Sequence, residues 1–151
     1  MSEHYVCFIP ADPKFVPSKG SQDAAVALIQ RAWLHISEIT PETNEHIVFR
    51  DCGENFESIH CPSCNTELRV DQWHELMEQD YSDEGGFQLD QLPMPCCEEK
   101  LTLNDLSYKW PMGFSRFVLR AGDPGCEDSE KLLNELESAI GCQLRIIHQM
   151  Y

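Results

Sequence analysis

Four cysteines constrain this chain more than any other feature. Cys61 and Cys64 stand in "CPSC", and Cys96 and Cys97 stand side by side in "PMPCCEEK". Two thiolates separated by two residues can share one turn and grip one ion. A closed tetrahedral site needs two more donors, and the second pair supplies them. If both pairs ligate, two turns far apart in the chain are fixed against each other. The N-terminal "MSEHYVCFIPADP" has no basic start leading into a long apolar stretch, and no run reaches membrane-spanning length. A soluble, cytoplasmic protein is therefore expected. In that reducing setting its eight cysteines read as ligands or buried thiols, not as a disulfide framework.

The flanking segments predict the scaffold. "HYVCFIP" (4–10) is β-prone and ends at Pro10. Across 21–39, Ala25, Leu28, Ile29, Ala32, Ile36 and Ile39 recur at helical spacing, with Ser21 as N-cap and Pro41 as the stop. "EHIVFRD" (45–51) reads as a second strand. "GFSRFVLRAG" (113–122) puts Phe117 and Leu119 on one face and Arg116 and Arg120 on the other. In 129–141, Leu132, Leu133, Leu136, Ala139 and Ile140 form a helical stripe, with Ser129 as cap and Gly141 at the end. "CQLRIIHQMY" closes the chain as a strand. The order β-α-β, long middle, β-α-β is that of an α+β ferredoxin-like sandwich. Its parts are 1–50 plus 113–151, with 51–112 inserted. Two separate α/β lobes are the alternative.

Within 51–112, residues 70–82 predict a short helix. Strands are expected at 87–92 and 101–103, and no internal repeat is evident. Each cysteine pair then follows a strand and occupies a turn. This stretch resembles a zinc ribbon, whose C-P-x-C knuckle "CPSC" matches. The resemblance implies structural Zn2+ on Cys61, Cys64, Cys96 and Cys97. Asn65 stands where the knuckle needs positive φ, a conformation that Asn tolerates. The second half departs from the pattern, with adjacent cysteines and Glu98 where Gly is usual. If only one of that pair ligates, Cys52, His60 or His74 could complete the site. A redox C-x-x-C pair is the rival reading, but such pairs open helices, and "CPSCNTELRV" runs on into a strand-like stretch. Cys7 is expected to be a buried thiol.

Acidic residues outnumber basic ones 26 to 11, and the net charge is −15. Such a surface repels phosphate backbones and anionic lipids and attracts basic proteins. Glu54 and Glu57 in "DCGENFE", with Asp80 and Asp83 in "EQDYSDEGG", are candidate partner contacts. There is no P-loop, G-x-G-x-x-G, G-x-S-x-G or H-E-x-x-H. The expectation is a zinc-binding, non-catalytic protein-interaction module, similar in size and charge to immunity or antitoxin proteins that inhibit a basic partner. A zinc-ribbon protein of transcription or translation, or a metalloenzyme, is the alternative.

Overall fold

In the computed structural model, which describes residues 3–151, the chain is an α+β protein with three helices and a mixed sheet. The chain opens with β1 (His4–Pro10), α1 (Lys19–Ala32) and β2 (Glu38–Arg50). The middle segment holds β3 (Ser58–His60), β4 (Glu67–Leu68), α2 (Val70–Asp80), β5 (Tyr81–Ser82), β6 (Gly86–Phe87), β7 (Leu92–Pro93), β8 (Lys100–Leu101) and β9 (Ser107–Lys109). It closes with β10 (Gly113–Gly122), α3 (Ser129–Ile140) and β11 (Leu144–Met150). The main sheet runs β11-β1-β10-β2-β6-β5. Its first four strands are antiparallel, and β6 adds to β2 in parallel.

Helix α1 departs from the sequence expectation at both ends. Ser18, not Ser21, caps it, accepting from Ser21 N at 3.1 Å. It stops at Ala32, where Trp33 turns to extended geometry and its N–H reaches Ile29 O at 2.8 Å. Ile39 belongs to β2 instead, and Pro41 lies inside that strand. The residue before a proline is biased away from the helical region, so Thr40 favours the strand. Pro41 is tolerated because the outer side of β2 pairs only at Ile47. Helix α3 begins as expected but is capped by Asp128, which accepts from Glu130 N and Lys131 N. It ends on left-handed Gly141.

Both faces of the sheet are covered. Val6, Phe8, Phe117, Leu119 and Ala121 pack against Ala25, Ile29, Leu132, Leu136 and Ile140 of the two outer helices. Side chains of opposite parity, including Cys7, Ile9, Phe114, Val118 and Ile147, meet Trp73, Leu76, Leu103, Leu106 and Met112 from the middle segment. This explains why β1 and β10 are buried almost throughout. A wide bulge bends β2. Phe117 pairs with Thr43 and Ser115 with Val48, so four residues of β2 face one of β10. Buried Arg50 pins the bulge, donating to Ser115 Oγ at 3.1 Å and Asn44 Oδ1 at 2.7 Å, while Arg116 Nε donates to Asn44 O at 3.1 Å.

The free edge of β11 is partly closed by residues 52–55. Glu54 N donates to Met150 O at 2.7 Å, Met150 N to Cys52 O at 3.2 Å, and Asn55 Nδ2 to His148 O at 2.9 Å. Gly53 makes this approach with φ of 63°, and a Cβ there would collide with Met150 O.

Candidate metal centre

Two hairpins build the centre. In the first, β3 pairs with β4, Ile59 opposite Leu68 and His60 opposite Glu67. In the second, β7 pairs with β8, Leu92 opposite Leu101 and Pro93 opposite Lys100. Every partner recurs 33 positions later, and so do the turn bonds. Asn65 N donates to Cys61 O at 2.8 Å and Cys61 N to Thr66 O at 2.9 Å. Glu98 N likewise donates to Met94 O at 2.9 Å, and Met94 N to Glu99 O at 3.0 Å. Asn65 (φ 62°) and Glu98 (φ 63°) take the same left-handed conformation. The two turns therefore align as Cys-Pro-Ser-Cys-Asn on Met-Pro-Cys-Cys-Glu. This overturns the expectation of no internal repeat at the scale of one hairpin.

The alignment accounts for the adjacent cysteines. Cys97 stands where Cys64 stands in the first turn. Met94, buried at 1% exposure, occupies the place of Cys61, and Cys96 brings its sulfur to the cluster from the middle of the turn. All four Sγ atoms lie within 4.8 Å of one another. Cys61 and Cys97 are 3.8 Å apart, Cys64 and Cys96 3.3 Å, and Cys96 and Cys97 3.9 Å. Four sulfurs at about 2.3 Å from a central ion would be spaced at about 3.8 Å. The cluster is thus sized for a tetrahedral metal, and Cys61, Cys64, Cys96 and Cys97 could hold one. A four-sulfur tetrahedral donor set suits zinc or iron.

The electrostatics agree with a cation-holding group. Cys64 drops to about 6, chiefly because the Thr66 hydroxyl, 3.2 Å away, and the Thr66 backbone stabilise its thiolate, with Cys96 adding to this. Cys96 rises to about 12, through burial first and then through the crowd of sulfurs around it. One thiolate forms easily and suppresses its neighbours, a conflict that a divalent cation removes. Cys61 is buried, whereas Cys64 and Cys97 are exposed, so the centre sits at the surface with one anchored side.

No family model matches this chain, and no curated protein matches it. Among solved structures, the alignment with a chain titled "Crystal structure of Csm1-Csm4 cassette in complex with one ATP" covers 99% of this chain and 71% of that one. Its identity is 10% and its TM-score 0.22, which carries no argument.

The reserve ligands are elsewhere employed. Cys52 is buried with its sulfur 3.9 Å from Trp110 O, and burial pushes its thiol to about 11. His60 stands 3.8 Å from Glu67, and the His74 ring lies tilted against Trp73, with centroids 5.3 Å apart. Cys7 is a buried thiol raised to about 12 by burial, as the sequence led one to expect of its place in the core. The strand expected at 87–92 is two short pieces, and 103–105 is a 3-10 turn.

The acidic candidates do not form one group. Asp80 is 1% exposed, and its carboxylate accepts from Gln88 N at 3.0 Å, Leu89 N at 2.8 Å and Asp90 N at 2.8 Å. It shapes the 81–90 turn and is not a surface contact, which corrects the reading from charge alone. Asp83 is exposed in the β5–β6 turn at one edge of the sheet. Glu54 is exposed beside β11, at the opposite edge, five strand spacings of about 4.8 Å away, and Glu57 is exposed next to Lys109 of β9. Glu57 also accepts from Trp110 Nε1 at 3.2 Å and lies 3.4 Å from Lys109 Nζ. Trp73 and Phe114 are buried, while Tyr81 and Trp110 remain exposed.

No helix is long and apolar enough to cross a membrane among the described residues.

Proposed function

We propose that this chain is a zinc-binding, non-catalytic protein-interaction module of the immunity or antitoxin type, acting in the cytoplasm on a basic partner. The observation that carries the zinc reading is the sulfur cluster, with all four Sγ atoms within 4.8 Å and two of the spacings, 3.8 and 3.9 Å, near those around a tetrahedral ion. Zinc at that position supplies a crosslink between the two hairpins, with no open coordination position for water. In this reading the outer strands β11-β1-β10-β2, with α1 and α3 on one face, are a ferredoxin-like sandwich of residues 1–50 and 113–151. Residues 51–112 are its zinc-ribbon-like insertion. The antiparallel order of those four strands supports that assignment.

The partner surface is centred on Glu54, Glu57 and Trp110, with Asp83 as a distant contributor. An exposed Trp hydrogen-bonded to an acidic residue combines an anchor with charge, and Trp is enriched at binding hot spots. The −15 charge supports a basic protein as partner and stands against a nucleic acid. The test has two arms. Elemental analysis of protein purified without chelator should give one zinc per chain and no visible absorbance, whereas iron or no metal overturns the zinc reading. Charge reversal at Glu54 and Glu57 should weaken a partner captured at low salt, with zinc content unchanged. Capture that is indifferent to salt and to both substitutions overturns the interaction reading.

A further inference from the structure

The two sides of the main sheet end differently. Residues 52–55 lie along β11, whereas β2 is covered on its outer side only where Ile47 meets Gly86 of β6. Ahead of that point, residues 38–43 pair with β10 on one side and, among the described residues, with nothing on the other.

The register fixes which backbone groups are left over. Gly122 O accepts from Ser37 N at 3.0 Å, while Asp123 N donates to His4 O at 2.8 Å. Gly122 therefore faces β2 and Asp123 faces β1, and by alternation Arg120 and Val118 turn toward β2 as well. Their partners Glu38, Thr40 and Glu42 direct their N–H and C=O groups to β10. Ile39, Pro41 and Thr43 turn outward. This leaves the N–H groups of Ile39 and Thr43 and the carbonyls of all three in one extended row, with no hydrogen bond inside the chain among the described residues. Such a row is a template for one more strand.

The side chains of the same stretch say what that strand carries. Ile39 packs into the core under the helices, so the odd positions lie on that face. Glu38, Thr40 and Glu42 lie on the other face and are exposed. Glu42 meets Arg50 at 3.2 Å and still keeps 57% of its side chain exposed, and Glu38 has no ion pair among the described residues. Just past Thr43 a groove of about 400 Å3 begins, lined by Glu45, Phe49, Tyr81 and Asp83 among others. Tyr81 is 49% exposed, and an aromatic ring in company with two carboxylates suits a Lys or Arg head. A second copy of this chain fits badly. Laying β2 on β2 would set Glu38 and Glu42 against carboxylates, between chains that each carry −15.

We propose that residues 38–43 of β2 accept a strand from a basic partner protein. The added strand carries Lys or Arg at alternate positions beside Glu38 and Glu42 and apolar residues beside Ile39 and Pro41. A further basic side chain lies in the Tyr81 groove. The site is at the opposite edge from Glu54 and shares with the reading above only the sign of the partner's charge.

The test is fluorescence anisotropy on the full chain, its metal retained, at low salt. The probe is a labelled alternating Lys-Val peptide of about six residues, the usual length of a strand. It should bind at or below millimolar concentration, and binding should slow hydrogen exchange at the Ile39 and Thr43 amides. N-methylation of alternate peptide amides should abolish binding for one set and spare it for the other, since only one set faces β2. A peptide of the same composition with its lysines and valines in two blocks should bind about tenfold more weakly, and so should the alternating peptide to Glu38→Lys with Glu45→Lys. Glu54→Lys with Glu57→Lys should leave binding unchanged, which separates this site from the other surface. The proposal is overturned if the alternating peptide does not bind, if the block peptide or both methylated forms bind equally well, or if Glu54→Lys with Glu57→Lys abolishes binding. Self-association that slows the same two amides without peptide would make a second copy the occupant and overturn it too.

Discussion

The two faces of one sheet are closed by different means. On one, α1 and α3 lay apolar stripes across Phe8, Phe117 and Leu119, and long helices with proper caps supply the structure locally. On the other, a chain of two- and three-residue strands must cover Ile9, Phe114 and Ile147, with α2 the only extended helix. Hairpins so short are marginal alone in water. Both faces bury an apolar core, but the second adds discrete points to it: a sulfur cluster, the Asp80 carboxylate and the Trp73–Tyr108 pair, joined at 3.3 Å. Where the covering elements are short, burial is supplemented by discrete polar and sulfur contacts that fix their turns.

The largest effect should come from the points. Apparent zinc-binding free energies of small structural sites run to about 10–16 kcal/mol. Cys61→Ser, or a strong chelator, should free the amides of β3, β4, β7, β8 and β9 for hydrogen exchange, while those of β1, α1 and α3 stay slow. Equal loss of protection on both faces would break the contrast. A smaller effect is expected from the helix face. Phe117→Ala should cost about 3–5 kcal/mol in urea unfolding, with metal content unchanged. Release of metal by that substitution would show the two faces to be one cooperative unit.

The smallest change tests how the second turn works. Met94→Cys with Cys96→Ser rebuilds a C-x-x-C pair on the second hairpin. That double variant should retain one metal per chain and nearly the original Tm, whereas Cys96→Ser alone should bind metal more weakly in a competition titration. A double variant no better than the single one would mean that position 94 is only core.

Much of this was legible in the residues. The strand at 4–10, the stripe of α3 and the alternation in 113–122 each carry one period with unambiguous stops, and each lies where the pattern placed it. The first knuckle was equally readable, since Asn65 takes the positive φ its position demanded. The end of α1 is not legible from spacing, because Ile36 and Ile39 continue a helical period past Ala32 although the chain turns extended at Trp33 and Ile39 lies in β2. The second knuckle was obscured by expecting cysteine at both ends of the turn. Its signal was the shared X-Pro-X-Cys, visible when "CPSCN" is set against "MPCCE". Asp80 looked like a surface charge because a composition carries no record of which carboxylate faces backbone N–H groups.

The strip that shuts the edge of β11 has a further consequence. An uncovered edge strand is a template on which a second chain can add, and repeated addition is how soluble sheets become aggregates. Here the cover, residues 52–55, runs directly into β3 and the first cysteine turn. Whatever loosens that turn slackens the cover as well. If a metal holds that turn, as proposed, removing it is expected to uncover the β11 edge before the helix face unfolds, and light scattering after chelation would read this as self-association.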